Sequence, residues 1–367
     1  MTHADVIVIG GGIAGVSAAA MLAEHMSVLL LEAEPRTGYH STGRSAAIFI
    51  RNYGNATLRA LNAASAPVLE NPDGVADSSL LSPRGELMLA EEDEVDTLDA
   101  YVADAVGMDM LTPEQAVELV PILRPERIAS AAIEWDAQDI DVDRMLSGYQ
   151  RLLSTRGGRI VTGAPVTALL RLGGVWQVSA GGAEYAAPIV VNAAGAWAGQ
   201  IGQMAGALPI AIQPMRRSAA ILPAPGGHDL RRWPLFGSIT ERWYAKPEAG
   251  KLMVSPADED PVEPHDAWPD DMVLAEGLHR FEQAVTMPVT RVEHSWAGLR
   301  SFAPDRTPLA GFDPQAEGFF WLAGQGGYGV QTAPALSRLT AALIVGLSPE
   351  VAPEVIAMLD PARFATG

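Results

Sequence analysis

The stretch DVIVIGGGIAG, residues 5–15, places a short apolar run directly before three glycines in a G-x-G-x-x-G pattern. Asp5 to Ile9 is predicted to form a buried strand, and Ile13 to His25 an Ala-rich helix. Gly10 permits the tight turn between them, Gly12 lets the backbone approach a pyrophosphate, and Gly15 lets the helix pack closely on the strand. The start of that helix then offers free N–H groups and a positive dipole to phosphates.

A second strand and an acidic residue complete a dinucleotide-binding pattern. Ser27 to Leu31 is the predicted strand, and Glu32 follows it directly. A carboxylate at that place accepts a hydrogen bond from a ribose hydroxyl and repels the extra phosphate of NADP. Because NAD and FAD share this fingerprint, the turn alone leaves both cofactors open.

Two further loops are rich in small residues and favour the longer cofactor. Residues 38–47 read GYHSTGRSAA, and residues 324–331 read GQGGYGVQ before a final helix. Three separated loops of this kind suit an extended dinucleotide whose ring lies far from its adenine, which favours FAD over NAD. N–H groups at the helix start near Gly327 to Val330 would stabilise negative charge on a reduced flavin.

Composition excludes several classes of function. The 367 residues are 48% apolar and carry a net charge of −19, so nucleic acid and anionic membranes are unfavourable partners. The chain has no cysteine, which excludes disulfides, thiolate nucleophiles and a thioether-linked flavin. No apolar run approaches the roughly 20 residues of a transmembrane helix. Since no signal-peptide pattern is present either, we expect a cytoplasmic protein.

The rest of the chain predicts an α/β protein with two domains. Helices are expected at Val142 to Thr155 and Asp270 to Val285, and the segment 318–346 repeats the strand, glycine-rich turn and helix of the N-terminus. A Rossmann-like domain with a central parallel sheet would comprise residues 1–47, 139–198 and 295–367. Residues 48–138 and 199–294 would form a substrate domain with a mixed, largely antiparallel sheet.

Eight strings together carry a family resemblance over essentially the whole chain. They are GGGIAG, GYHSTGRSAA, LLSPRGE, NAAGAW, QPMRRSA, WYAKP, HSWAGLRSF and GQGGYGVQ, in this order. The set resembles the D-amino-acid oxidase superfamily of FAD enzymes, and most closely its bacterial D-arginine dehydrogenase branch. The resemblance implies noncovalent FAD, no metal, and hydride transfer from the α-carbon of a D-amino acid to flavin N5. The imino acid formed would hydrolyse to a 2-oxo acid and ammonium.

The resemblance also implies roles for individual residues. Arg300 would grip the substrate carboxylate with help from Tyr244, and Tyr53 would lie over the flavin on a mobile lid. Arg217 would face the substrate, and Glu86 would receive a cationic substrate side chain. The full predicted substrate set is Arg300, Tyr244, Tyr53, Arg217, Glu86, Ile48, Ile50 and Gly327.

The residue types fit these roles, although each has an ordinary structural alternative. The planar guanidinium of Arg300 matches a carboxylate in bidentate fashion, but an arginine also forms ion pairs. Tyr244 and Tyr53 are equally suited to be core aromatics. Arg216 and Arg217 are adjacent on a predicted strand and therefore face opposite sides, so only one can face the site, and the resemblance selects Arg217.

The predicted FAD contacts follow the glycine-rich strings. They are Gly10, Gly12, Ile13, Ala14, Gly15, Glu32, Ala33, Ser41, Thr42, Gly43, Arg44, Ser45, Ala46, Ala47, Val166, Ala194, Gly195, Trp197, Gly298, Arg300, Gly326, Gly327, Tyr328, Gly329, Val330 and Gln331. His40 lies in the same loop, and we expect it to order the loop through hydrogen bonds rather than to bind flavin covalently.

One departure from the family pattern bears on the substrate. The related enzymes have histidine and threonine where this chain has Ile48 and Ile50, which makes that wall more apolar. We therefore expect an amino acid substrate with an apolar or mixed side chain, and an electron acceptor that is a quinone, a dye-like acceptor or oxygen. Oxidation of glycine, sarcosine, a cyclic imino acid or a 2-hydroxy acid stays open, as does a non-catalytic flavin-binding module.

Overall fold

The computed structural model describes residues 2–365 and contains a six-stranded sheet in which the strand Val6–Ile9 is central. Five strands are parallel, and the last pairs antiparallel at the edge. Their order is Arg159–Val161, Val28–Leu31, Val6–Ile9, Ile189–Asn192, Phe319–Ala323 and Leu309–Phe312. All residues of Val28–Leu31, Val6–Ile9 and Phe319–Ala323 are buried, and so are Val190, Val191 and Asn192 of the strand between the last two, as expected for parallel strands covered on both faces.

Helices cover one face of this sheet and a small sheet covers the other. The helices on the first face are Ile13–Leu22, Ala56–Glu70, Val142–Thr155, Gly329–Val345 and Pro353–Leu359. The second face packs on helix Ala198–Met204 and on a four-stranded sheet, whose strands are Thr2–His3, Ala183–Ala187, Val175–Ala180 and Val166–Leu172. The predicted strand, turn and helix at each end of the chain are confirmed.

A nine-stranded, mostly antiparallel sheet forms the second part of the molecule. Its strands, in order, are Asp260–Pro261, Gln213–Leu222, Lys251–Ser255, Tyr244–Glu248, Leu235–Ser238, Glu86–Ala90, Ser130–Glu134 and Met108–Leu111, with His294–Phe302 also beside Gln213–Leu222. Helices Val95–Ala103, Pro113–Leu119 and Asp271–Ala284 accompany it. The predicted two-part α/β architecture with a largely antiparallel substrate-side sheet is therefore confirmed.

Smaller elements join the two parts. A three-stranded sheet consists of Ile48–Phe49, Gln138–Ile140 and Leu81–Pro83. Short 3-10 helices occur at Ser41–Arg44, Glu92–Glu94, Pro125–Arg127, Gly195–Trp197, Leu230–Arg232 and Pro361–Phe364. Among the helices of residues 2–365, none has the length and apolar composition needed to cross a bilayer.

Two segments pack differently from the predicted domain boundaries, which otherwise stay a prediction. Residues 295–302 were expected in the cofactor domain, but they lie in the strand His294–Phe302 and hydrogen-bond in the large sheet. Helix Ala56–Glu70 was expected in the substrate domain. It packs on helix Gly329–Val345 instead, because its apolar side is buried in the core beside the six-stranded sheet.

Leu61 tests whether helix Ala56–Glu70 is an integral part of that core. Its side chain is fully buried, with 0% exposure, so Leu61→Ala should lower the free energy of unfolding by about 2–5 kcal/mol through lost burial and an internal cavity. Leu170, 54% exposed, is the matched control, and Leu170→Ala should cost about 1 kcal/mol or less. Urea unfolding followed by far-UV circular dichroism measures both; equal losses would contradict the assignment.

Candidate functional site

The glycine turn after the first strand has the geometry that its pattern predicts. Gly10 has φ +112°, and a Cβ there would lie 2.3 Å from the Ala193 carbonyl oxygen. A Cβ at Gly15 would lie 1.9 Å from the Gly10 carbonyl oxygen, so that glycine is required for packing. At Gly12 the nearest atom to a Cβ is the Thr42 hydroxyl oxygen at 3.4 Å. Gly12 thus leaves the backbone open on its cavity side.

Side chains hold this turn in place. The Glu32 carboxylate accepts the Gly11 N–H at 2.5 Å and the Glu34 N–H at 2.7 Å. The Thr42 hydroxyl accepts the Ile13 N–H at 3.0 Å, which ties the second loop to the start of the helix. Glu32 therefore stands at the end of its strand, as predicted, and shapes the turn as well as lining the space beside it.

A large cavity of about 370 Å³ lies across this turn. It is bounded by all three small-residue loops and by the end of the strand Ile189–Asn192. The predicted cofactor residues that line it are Gly10, Gly12, Ile13, Ala14, Glu32, Ala33, Ser41, Thr42, Val166, Ala194, Gly195, Trp197, Gly326 and Gly329. The larger cavity therefore brings together residues far apart in sequence.

A second cavity of about 100 Å³ adjoins the first and is lined by three arginines; we call it the arginine cavity. Ile13, Ser41, Thr42, Leu299, Gly326 and Gly329 line both cavities. The arginine cavity adds Arg44, Ser45, Ala46, Arg217, Tyr244, Gly298, Arg300, Gly327 and Val330 from the predicted set. The two spaces together form an elongated site between the two sheets.

Strand pairing brings Arg217 and Arg300 to the same face of the large sheet. Gln213–Leu222 and His294–Phe302 are antiparallel, with Met215 opposite Arg300 and Arg217 opposite Gly298. Side chains at opposite and alternate positions share a face of a sheet. Arg217 and Arg300 therefore share the cavity face.

The neighbouring Arg216 faces the other way. Its guanidinium pairs with Asp258 at 3.2 Å and with Asp260 at 2.6 Å. This arginine is structural, and it lines neither cavity.

Arg300 lies beside two tyrosines and a glycine. Its guanidinium donates to the Tyr53 hydroxyl at 3.4 Å, and a Cβ at Gly327 would come within 3.0 Å of Arg300 Cζ. Burial by itself lowers the pKa of Arg300, but Tyr53, Tyr244 and Glu241 raise it and the net shift is upward. Burial also raises the pKa of Tyr53, so its hydroxyl stays protonated. The site thus holds a fixed positive charge beside hydroxyl groups.

Acidic residues compensate the second arginine. Arg217 is 7% exposed and contacts Glu241 at 3.4 Å and Glu259 at 3.2 Å. Glu259 also pairs with Arg306 at 3.0 Å. The Arg217 Nε has no hydrogen-bond partner among the described residues, which leaves one donor for a ligand.

Glu86 is buried next to a second buried acid. It lies opposite Glu134 on the neighbouring strand, and its Oε2 has no partner within residues 2–365. Burial raises the pKa of the Glu86 carboxyl well above its usual range, and Glu134 and Glu241 raise it further. Its surroundings therefore favour the protonated form of Glu86, and it lines neither cavity.

Several other predicted residues lie away from both cavities. Ile50 is 4% exposed and exchanges backbone hydrogen bonds with the Gln331 side chain, which uses Gln331 for structure. Tyr328 packs on Tyr53 with ring centroids 4.6 Å apart. The predicted residues outside both cavities are Gly15, Gly43, Ala47, Ile48, Ile50, Tyr53, Glu86, Tyr328 and Gln331.

Two polar side chains of the second loop serve its structure. Arg44 donates to the carbonyl oxygens of Ala267 and Ala297 at 3.0 and 2.9 Å and pairs with Asp266. The expectation that Arg44 binds cofactor is thus limited to its stem, which lines the arginine cavity. His40 bonds Glu34 at 2.9 Å and packs on Trp197, as expected of a residue that orders the loop.

Sequence reasoning missed two polar residues of the site. Gln325 lines the larger cavity, and its Nε2 is buried without a partner among the described residues. Glu241 contacts both Arg217 and the Tyr53 hydroxyl, the latter at 3.5 Å. Gln325 stands within the quoted glycine-rich string and was therefore detectable, whereas Glu241 lies in a turn that carries no pattern.

The comparisons with known proteins agree with this geometry. Residues 5–343 match the DAO family model, described as FAD dependent oxidoreductase. The chain belongs to this family. The FAD-dependent oxidoreductase domain-containing protein 1 of Bos taurus is 24% identical, over 94% of this chain and 81% of that protein. Glycine oxidase of Geobacillus kaustophilus is 25% identical, over 94% of each chain.

Solved structures share the fold. The crystal structure of that glycine oxidase has a TM-score of 0.84 at 21% identity and covers 97% of this chain and 98% of its own. L-proline dehydrogenase from P. horikoshii has a TM-score of 0.86 at 23% identity and covers 99% and 98%. This protein is accordingly an FAD-dependent oxidoreductase. The specific likeness to D-arginine dehydrogenase stays a prediction.

The residues present fit FAD. The open Cα of Gly12 and the adjoining helix start suit a pyrophosphate, while Gln325 Nε2 offers a free donor in the larger cavity. The continuation into the arginine cavity provides room beyond the nucleotide. The family's cofactor therefore has both its phosphate turn and an extended path in this chain.

Two glycines separate cofactor binding from folding. Gly12→Ala should leave thermal stability nearly unchanged but lower FAD affinity by about tenfold or more, because its Cβ points where the pyrophosphate approaches. Gly15→Ala should destabilise the protein itself, since its Cβ overlaps the Gly10 carbonyl oxygen. Flavin titration and thermal unfolding of each variant check this. Normal FAD affinity in folded Gly12→Ala would contradict the assignment.

Glu86 should make stability depend on pH. Its pKa is higher in the folded than in the unfolded protein. The protonated carboxyl therefore contributes its full stability below the ordinary pKa of 4.5, and this contribution falls as the pH rises from there to the raised folded pKa. Glu86→Gln should therefore gain thermal stability, relative to the unsubstituted protein, from acid to neutral pH. Exposed Glu276 on helix Asp271–Ala284 is the control. A Glu86→Gln difference that is constant with pH would refute this.

Proposed function

We propose that the chain catalyses oxidative deamination of D-amino acids and releases an imino acid that water hydrolyses to a 2-oxo acid and ammonium. The family supplies the reaction class, and the eight quoted strings support the D-configuration through their resemblance. The observation that carries the proposal is Arg300, a half-buried arginine that lines a cavity joined to the cofactor cavity.

Arg300 binds the substrate carboxylate in this proposal. Its planar fork donates two parallel hydrogen bonds to the carboxylate oxygens, which fixes the α-carbon as well as the charge. Tyr244 lines the same cavity and donates a further hydrogen bond to the carboxylate. Gly327 keeps the space beside the guanidinium free, since a Cβ there would press on Arg300.

Tyr53 and Arg217 complete the enclosure. The Tyr53 hydroxyl contacts Arg300, and its ring closes over bound substrate and excludes water. Arg217 faces the substrate, and its Nε, which has no partner among the described residues, donates a hydrogen bond to it. When bound, FAD supplies the two-electron acceptor for the oxidation. Among residues 2–365, no carboxylate or histidine lines the arginine cavity, so the substrate amine loses its proton to solvent or binds already neutral.

The lining of the arginine cavity favours an apolar substrate side chain. Ala219, Met253 and Val330 line it together with three arginines, and no acidic side chain of residues 2–365 does. A cationic side chain would meet like charges there. Ile48 and Ile50 do not contribute to this preference, because neither residue lines the cavity. Glu86 lies outside both cavities, so a basic substrate side chain would have to extend beyond the arginine cavity to contact it.

A compact amine is the second candidate, and the small size of the arginine cavity, about 100 Å³, favours it. Glycine, sarcosine or a cyclic imino acid would bring the same carboxylate to Arg300. Glycine oxidase of Geobacillus kaustophilus is among the relatives, which supports this alternative at the level of the family.

An anaerobic flavin-reduction screen tests the proposal. D-leucine, D-methionine and D-phenylalanine should bleach the flavin absorption band faster than D-lysine or D-arginine, and faster than their L-enantiomers. Glycine, sarcosine, L-proline and 2-hydroxy acids complete the panel. A lead for D-arginine would refute the apolar preference, a lead for glycine or sarcosine would favour the second candidate, and no reduction by any member would refute the enzyme.

Arg300→Lys tests the carboxylate clamp. Lysine retains the charge but loses the bidentate fork, so KM for the best amino acid should rise by about tenfold or more. Arg216→Lys is the matched control because Arg216 pairs with Asp258 and Asp260 on the opposite face. Steady-state kinetics with a dye acceptor measures both; an equal change in the two variants would contradict the role of Arg300.

The cofactor should be released intact by acid precipitation. No cysteine is present, and His40 is engaged with Glu34, so we propose noncovalent FAD. The electron acceptor, whether a quinone, a dye-like acceptor or oxygen, is read from the same protein by comparing its reoxidation rates.

A further inference from the structure

Residues 50–53 form a short loop that carries Tyr53 and lies between the two parts of the molecule. Side chains from the cofactor side bind its carbonyl oxygens. Asn62 Nδ2 lies 3.3 Å from the Ile50 and Arg51 oxygens and 3.0 Å from that of Tyr53. Gln331 Nε2 in turn donates to Asn62 Oδ1 at 2.8 Å.

One carboxylate from the other part binds the N–H side of the same loop. Glu134, which ends the strand Ser130–Glu134, accepts from the Arg51 N–H at 2.7 Å and the Asn52 N–H at 3.4 Å. It also accepts from Asn52 Nδ2 at 2.6 Å. Glu134 is 1% exposed, so these bonds are shielded from water and hydrogen bonds to a charged acceptor are strong there.

The Tyr53 side chain is held far less firmly than its backbone. Its hydroxyl contacts Arg300 at 3.4 Å and Glu241 at 3.5 Å, distances at the weak end for hydrogen bonds between such groups. The backbone bonds of the two preceding residues therefore determine where the ring can reach. Within residues 2–365, Glu134 is the only carboxylate that accepts a hydrogen bond from the backbone of Arg51 or Asn52.

We propose that Glu134 is a positioning residue that fixes the base of the Tyr53 loop, so that the ring closes over substrate from one defined starting place. The carboxylate lines neither cavity and acts through the backbone N–H groups of Arg51 and Asn52 and the side-chain amide of Asn52. The inference rests on the proposed function for the role of Tyr53, while the anchoring itself does not.

Amide hydrogen exchange of the FAD-loaded protein, without substrate, tests the anchoring. In Glu134→Gln an amide NH2 replaces one acceptor oxygen and faces donors, so exchange in a peptide covering residues 50–54 should accelerate by about tenfold or more. Asp313→Asn is the matched control, because Asp313 is a buried carboxylate that accepts the N–H groups of Leu208, Gln315 and Ala316. Its exchange at 50–54 should stay unchanged. Unchanged exchange in Glu134→Gln would overturn the proposal.

A double-mutant cycle tests positioning apart from stability. With D-leucine, Glu134→Gln should lower kcat/KM by about tenfold or more, and by less than about threefold in a Tyr53→Ala background, because it acts through the ring that is absent there. The effect of Asp313→Asn should be equal in both backgrounds. Equal effects of Glu134→Gln in both backgrounds would overturn the positioning role.

Two further outcomes keep the proposals distinct. If no amine reduces the flavin, the proposed function fails, and with it the role of Tyr53, but exchange at residues 50–54 still decides the anchoring. If Glu134→Gln does not fold, Glu134→Asp replaces it, because the shorter side chain withdraws the carboxylate from the N–H groups of Arg51 and Asn52 and keeps its chemical type. Exchange there should then rise by about threefold or more; no rise would overturn the anchoring.

Discussion

The site depends above all on the register between the strands Gln213–Leu222 and His294–Phe302. Nine residue pairs join them, and side chains alternate between the two faces. A slip of one residue would direct Arg216 into the cavity and remove Arg217 from it. The carboxylate-binding surface is thus a property of backbone pairing, and the loops around it contribute charge compensation and closure.

Charge in the interior is arranged in opposed groups. Arg217 is balanced by two acids, Glu241 and Glu259, while Glu86 and Glu134 lie behind the loop that carries Tyr53. Glu134 binds three donors and Glu86 leaves one oxygen without a partner in the described chain. This difference assigns Glu134 to structure and leaves Glu86 as a buried carboxyl group with a raised pKa.

Local patterns predicted much of this arrangement. The glycine turn and the alternation of Arg216 and Arg217 follow from short-range rules, since turn geometry and strand period are encoded in neighbouring residues. Glu134, Glu241 and the packing of helix Ala56–Glu70 were not predictable, because each acts on residues distant in sequence. The same reason explains Ile48 and Ile50: a position matched by resemblance does not determine which way the folded chain directs its side chain.

The phosphate turn is tied together by the protein's own bonds. The Gly10 N–H donates to the Leu31 carbonyl oxygen, and the Gly38 N–H donates to that of Gly11. Glu32 and Thr42 accept from the N–H groups of Gly11 and Ile13. A binding surface already shaped in this way does not need its natural occupant as a template. Stripping the coenzyme and replacing it with synthetic analogues of altered redox potential is consequently a practical route to tuning this protein.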